Sequence, residues 1–270
     1  MHGPALHVLV SAGYAALALW FWHTRWRAAP AAEGLSAAER VAVLAPLALH
    51  AWLLSAELFL SPELRFGFAQ ALSVMLCLGV AIYWVESLFL RLDGLEPLLL
   101  PLAAVAAPLP ALFPGLASRG VPASPEFRLH IVLAMAAYSV FTIAALHAVL
   151  MALAERRLHL KQGRMLNLPP LLTLERLLFR LIATAFVLLT LTLATGALYS
   201  ETLFGSALRL DHKTLFAILS WVTFAALLAG RWLRGWRGRT ALRWTLSGFT
   251  MLLLAYVGSR FVLEVVLRRG

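Results

Sequence analysis

Leu177–Trp221 reads LLFRLIATAFVLLTLTLATGALYSETLFGSALRLDHKTLFAILSW. Its first half is a continuous apolar run long enough to cross a bilayer as a helix, and its last third opens another. Between them lies a polar connector holding Asp211, His212 and Lys213, the one place where an acid, an imidazole and an amine follow in a row. Asp211 is the expected N-cap of the second helix. Its carboxylate can accept from free backbone N–H groups and faces the positive end of the helix dipole.

Working outward, similar runs recur along the whole chain, and 61% of the 270 residues are hydrophobic. Eight spans are expected: Leu6–Trp22, Val41–Leu60, Gly67–Val85, Leu95–Phe113, Leu129–Leu153, Leu177–Leu198, Thr214–Gly230 and Leu242–Val262. The fourth is the weakest, because Pro97, Pro101, Pro108, Pro110 and Pro114 should kink or interrupt it. The runs are continuous rather than alternating, which argues against barrel strands. The expected fold is an all-α polytopic transmembrane bundle of about eight spans, one transmembrane domain over residues 1–270.

A formal charge of +10 raises the question of nucleic acid, and its distribution answers against it. The connectors after spans 1, 3, 5 and 7, with the adjoining helix ends, hold 15 of the 23 basic residues. Arg156, Arg157, Lys161, Arg164, Arg231, Arg234, Arg237 and Arg239 are among them. That bias follows the positive-inside rule and places both termini on the outer, periplasmic side of a bacterial inner membrane. The arginines read as topology signals and headgroup contacts. The opening MHGPALHVLV lacks the basic segment of a signal peptide, so the first span is expected to be a retained helix. Cys77 is the one cysteine and lies within a span, which excludes an intrachain disulfide or thiolate zinc site.

Polar residues inside spans are costly, so their placement carries information. His50 lies mid-span, and Glu57, seven residues on, shares roughly its face. His130 stands near the outer start of the fifth span. His147 is 17 residues further on, or about 25 Å at ~1.5 Å per residue, so one metal cannot take both. Thr184, Thr190, Thr192 and Thr195 are expected to bond to helix backbone. Arg260 is expected to reach toward the outer surface. No P-loop, H-E-x-x-H or G-x-S-x-G is present, and no covalent catalysis is expected. What remains is a set of histidines at different depths in an apolar bundle, and neutral imidazole is an axial ligand for haem iron.

Four stretches carry a resemblance: FRLHIVLAMAAYSVFTIAAL, LPPLLTLERLLFRLIATAFVLLTLTLATGALYS, LDHKTLFAILSWVTF and LLLAYVGSRFVLEVVL. In this order and spacing the chain resembles the cytochrome c assembly family, the haem-handling membrane proteins of the CcsA and CcmC type, and within it the short YpjD-like branch. The likeness covers most of the chain and is strongest from Phe127 onward. It implies an integral inner-membrane protein that binds and handles haem during cytochrome c maturation, with other membrane proteins or assembly factors as partners. The family's outer haem platform, Trp-Gly-x-x-Trp-x-Trp-Asp-Pro-Lys, falls here on Phe204, Gly205, Leu208, Leu210, Asp211, His212 and Lys213. Glycine, aspartate and lysine are kept, and the three tryptophans are not. Of the family's axial histidines, His130 matches the outer one before this segment and His50 an intramembrane one. The partner positions fall near Gly258–Arg260 and Ala229, which hold no ligand. The expected cofactor-binding set is His130, Asp211, His212 and His50, with His130 on the haem iron by the resemblance and His212, which the family does not imply, able to substitute as the second ligand.

Two other readings stand beside this one. The lost tryptophans and ligands fit an accessory protein that kept the fold and stabilises a partner complex. His50 and Glu57 would fit the proton relay of a small transporter, although no internal repeat accompanies them. The charge bias makes the topology testable. A reporter active only after export, fused behind Gly270, should be active, and a cytoplasm-only reporter there should stay dark; the reverse would overturn the outside placement.

Overall fold

The computed structural model describes residues 4–27, 34–59, 66–89, 94–114, 125–159, 171–204 and 211–267. Among them the chain is helical and no strand occurs. The helices are α1 (Pro4–Phe21, continued by a π turn to Arg27), α2 (Ala37–Phe59), α3 (Phe68–Phe89), α4 (Glu96–Ala106), α5 (Leu109–Leu112), α6 (Pro125–His159), α7 (Leu171–Phe204), α8 (His212–Arg234) and α9 (Gly238–Leu253). α9 runs on through π and α turns to Val266. Seven stretches are long and apolar enough to cross a membrane, and Glu96–Leu112 is a shorter apolar one. The proline-rich segment breaks where its prolines crowd, at the Ala107–Pro108 turn between α4 and α5.

The chain passes up and down, so the starts of α1, α3, α6 and α8 share one face of the bundle with the ends of α2, α5, α7 and α9. This is called the first face below. Contacts fix it. Gln70 Nε2 donates to the Phe113 carbonyl at 3.3 Å, joining α3 to the end of α5. Phe68 packs against both Phe113 and Phe261, and Tyr256 donates to the Phe66 carbonyl at 3.1 Å. His7 Nδ1 bonds the Ala107 carbonyl at 3.0 Å.

The opposite face is tied by charge and caps. Ser36 and Glu39 form a reciprocal capping box at the start of α2, with Ser36 N–H donating to Glu39 at 2.8 Å and Glu39 N–H to Ser36 Oγ at 3.2 Å. Arg25 donates to the same carboxylate at 2.7 Å. Buried Glu96 accepts from Tyr83 at 2.5 Å and from the Gly94 N–H at 2.8 Å, which anchors the start of α4. Glu175 on α7 pairs with Arg231 of α8 at 2.5 Å. Arg25 and Arg231 of this face thus meet acids within the bundle.

Two helices form the centre. The most apolar 18-residue stretches of α3 and α6 are 61% buried, against 33% or less for the corresponding stretch of every other span. Aliphatic side chains of the outer helices, such as Val41, Val105 and Leu198, point outward, as lipid-facing surfaces require. On one side of α6, Phe224 of α8 stacks on Phe141 with ring centroids 3.9 Å apart, and its other edge lies over Gly248 of α9. Ser220 donates to the Gly248 carbonyl at 2.9 Å beside it. Only a residue without a Cβ lets α9 approach this closely.

Both α6 and α7 outrun their apolar stretches. The connector expected over Ala154–Thr173 begins only after His159 and ends before Leu171, and α7 continues through Phe204 into the expected polar connector. The irregular segment expected over Pro114–Arg128 is helical from Pro125. A helix satisfies its own backbone, so it continues past the hydrocarbon boundary through Glu155, Arg156 and Tyr199. Residues 115–124, 160–170 and 205–210 lie outside the described residues.

A Cβ at Gly248 would fall 2.8 Å from the buried Phe224 ring. Gly248→Ala should cost about 1–3 kcal/mol and lower the melting temperature of the purified protein. Adding Phe224→Leu should recover part of the loss; an unchanged melting temperature in Gly248→Ala would refute the close approach.

Candidate functional site

His130 lies one turn into α6, at the first face, half-buried against α7. Its Nδ1 is 3.0 Å from Thr195 Oγ1. The Thr195 hydroxyl has one proton, and that proton is directed back into its own helix, toward the Leu191 carbonyl at 2.8 Å or the Thr192 carbonyl at 3.1 Å. With the hydroxyl proton kept in its own helix, the oxygen accepts toward His130, an arrangement that would put the imidazole proton on Nδ1 and the lone pair on Nε2. Gly196 makes room for the ring, since a Cβ there would lie 3.2 Å from His130 Cε1. Thr192, Thr195 and Gly196 thus form a seat on one side of α7 at spacings of three and four residues. One helical step away, Phe127 stacks on Tyr199 at 5.3 Å and fixes the rotation of α6 against α7.

Thr190, Thr192 and Thr195 all bond to their own helix at 2.8 Å, as expected for threonine in a span. Thr190 and Thr195 also serve a neighbour, Thr190 accepting from Trp221 Nε1 at 2.9 Å. The sequence reading missed this second use. The signal that could have found it is the Thr-x-x-Thr-Gly stripe of residues 192–196.

Asp211 is the N-cap of α8. Its carboxylate accepts from the Thr214 N–H at 2.9 Å and the Thr214 hydroxyl at 3.0 Å. Partial burial pushes the carboxyl up, but those hydrogen bonds, with Lys213 and His212 nearby, outweigh it and hold it below its ordinary value. Asp211 and His212 are both exposed. Lys213 lies in a charged group with Asp211, Arg260 and Glu264. Arg260 reaches Glu264 at 4.0 Å and the Tyr256 ring at 5.8 Å. The first face therefore carries two adjoining features, the His130 seat on α6–α7 and the charged group on α8–α9. Among the described residues no hydrogen bond joins His130 to Asp211 or His212.

His50 stands elsewhere. It is buried between α1 and α3, with Nε2 2.8 Å from Ser73 Oγ and Nδ1 3.4 Å from Tyr14 Oη. Both ring nitrogens are engaged, and the site reads as a structural node. The side chain of Glu57 lies outside the described residues, as do Gly205, Leu208 and Leu210. His147 donates from Nδ1 to the Ile143 carbonyl of its own helix at 2.9 Å, deep in the bundle. Among the described residues no group of three His, Cys, Asp or Glu could hold a bare metal ion.

Comparison with known proteins decides the family. The family described as cytochrome C assembly protein matches residues 40–267. The chain belongs to the cytochrome c assembly protein family. It is 37% identical over 145 residues to inner membrane protein YpjD of Escherichia coli, covering 53% of this chain and 54% of that one. An uncharacterized 28.8 kDa protein of Azospirillum brasilense is 34% identical over 209 residues, 74% of this chain and 76% of that one. Cytochrome c biogenesis protein CcsA of Prochlorococcus marinus is 40% identical over 89 residues, 33% of this chain and 28% of its own length. The matched stretch thus spans about half of the YpjD protein and under a third of CcsA. No solved structure matches. With its apolar helices, this family member is a multi-pass protein of the inner membrane.

The Asp211 cap gives a pH prediction. A carboxyl held low in the folded state contributes stability above its unfolded value and loses it as pH falls through its folded value. Asparagine also caps but does not titrate there. Asp211→Asn should be nearly neutral at pH 7, and wild type should lose stability relative to it as pH drops through the carboxylate range. Parallel melting curves for the two proteins across that range would refute a charged cap.

Proposed function

We propose that this protein binds haem at its first face through His130 Nε2 and handles it, non-covalently and without an enzymatic step, in the maturation of c-type cytochromes. The observation that carries the reading is the contact of His130 Nδ1 with Thr195 Oγ1. A metal-ligating histidine characteristically donates its other ring N–H to a fixed acceptor, which sets ring orientation and raises ligand basicity. Thr195 Oγ1 is such an acceptor, 3.0 Å from Nδ1. Haem would supply an iron with one axial position for this imidazole. Lys213 and Arg260 are cations at the same face, suited to carboxylate groups of a porphyrin.

The donor set fits one axial ligand rather than two. Exposed His212 would serve as a weak second ligand, or none would. One imidazole gives loose, exchangeable binding, which suits a handler better than an electron carrier. The family membership and the short stretch shared with a cytochrome c biogenesis protein support the same reading. The replacement of the three platform tryptophans favours a second one, an accessory protein of a cytochrome c assembly complex that carries no haem.

Protein purified with haem available should show a Soret band. His130→Ala should abolish it, with partial recovery on added imidazole, while His147→Ala should leave it unchanged. Thr195→Val should retain haem with weaker affinity, by roughly 10–100-fold for loss of an outer-shell partner. Colourless wild-type protein that takes up no added haem would sink the proposal and leave the accessory reading in place.

A further inference from the structure

The face of α6 turned away from α7 carries Arg128, Ile131, Val132 and Met135, spaced as one stripe of a helix. Opposite them stand Ala51 and Leu54 of α2 and Val74, Cys77 and Leu78 of α3. Together they line a half-open apolar groove of about 230 Å³ between α2, α3 and α6. Its walls stay accessible: Leu78 is 37% exposed and Val132 50%.

One side chain of this lining is charged. Arg128 borders the groove in the first turn of α6. Its Nε is buried without a hydrogen-bond partner, and no carboxylate among the described residues pairs with it. A buried guanidinium N–H without an acceptor is costly, and the group that would relieve it is an anionic oxygen. The neighbouring His130 cannot serve, because it faces α7 instead.

We propose that the groove holds one acyl chain of an anionic phospholipid whose phosphate rests on the Arg128 guanidinium. Size argues for a chain. The groove is smaller than the ~300–1,000 Å³ pockets that enclose drug-sized ligands, so it takes a stretch of chain rather than a whole compact ligand. Length agrees, since Arg128 to Met135 is seven residues, about 10 Å of depth at ~1.5 Å per residue. Charge decides the headgroup. Phosphatidylglycerol offers an unneutralised phosphate, whereas phosphatidylethanolamine brings an ammonium of its own to compete with Arg128. The lipid would wedge α2 and α3 against α6, the helix that seats His130. This site stands apart from the haem proposal and does not depend on it.

Native mass spectrometry of the delipidated full-length protein in detergent tests it, with phosphatidylglycerol, phosphatidylethanolamine and hemin added separately and in competition. Wild type should bind phosphatidylglycerol about tenfold more tightly than phosphatidylethanolamine. Arg128→Gln should erase that preference, Arg128→Lys should restore part of it, and Arg243→Gln on the opposite face should leave it intact. Ala51→Phe, which fills the groove from an exposed wall position, should weaken both lipids; it carries the test if Arg128→Gln fails to fold. Equal binding of the two lipids in wild type, or a preference indifferent to Arg128 and Ala51, would reduce the groove to ordinary annular contact and overturn the proposal. Displacement of phosphatidylglycerol by hemin in an Arg128-dependent manner would also overturn it, by assigning the groove to a porphyrin.

Discussion

In hydrocarbon an unpaired backbone N–H or C=O costs on the order of several kcal/mol, and most features of this chain answer to that cost. It forces the described residues into helices. It also dictates what polar side chains may do between them, because each must find a partner inside the bundle or reach a face. Glu96 takes the Tyr83 hydroxyl and the Gly94 N–H, His50 takes Ser73 and Tyr14, and the threonines of α7 bond to their own carbonyls. A side chain that meets this constraint and still has a usable lone pair at a face stands out against that background. His130 is such a side chain.

The same constraint links the site to the core. α6 is held centrally by α3 on one side and by the Phe141–Phe224 stack on another, so its rotation is set well below the surface. That rotation turns His130 toward Thr195 and Arg128 away from it. One rigid helix therefore presents an imidazole on one side and a guanidinium on the other, two residues apart in sequence. The separation of the imidazole side from the guanidinium side follows from helix geometry alone.

Much of this was legible in the residues. Continuous apolar runs marked the spans, five prolines marked the break at Ala107–Pro108, and Asp211 with Thr214 three residues later marked the start of α8. Threonine self-bonding in α7 followed from the chemistry of a hydroxyl near a helix carbonyl. Two kinds of information were not legible. Helix ends beyond the membrane boundary carry no hydropathy signal, so α6 and α7 proved longer than their apolar runs. Pairing between helices depends on register, and nothing local tells that His130 meets a threonine 65 residues away or that His50 is closed off by Tyr14 and Ser73. A histidine read from sequence is only a depth; its free nitrogen is a property of the neighbour.

The account turns on the protonation of one ring, and nitrogen NMR of protein labelled at histidine reads it directly, with His130→Gln assigning the signal. The neutral His130 ring should carry its proton on Nδ1 with a lone pair on Nε2, and Thr195→Val should redistribute that proton between the two nitrogens. A His130 ring protonated at Nε2 in the wild-type protein, or one indifferent to Thr195, would contradict the seat on which the proposed function rests.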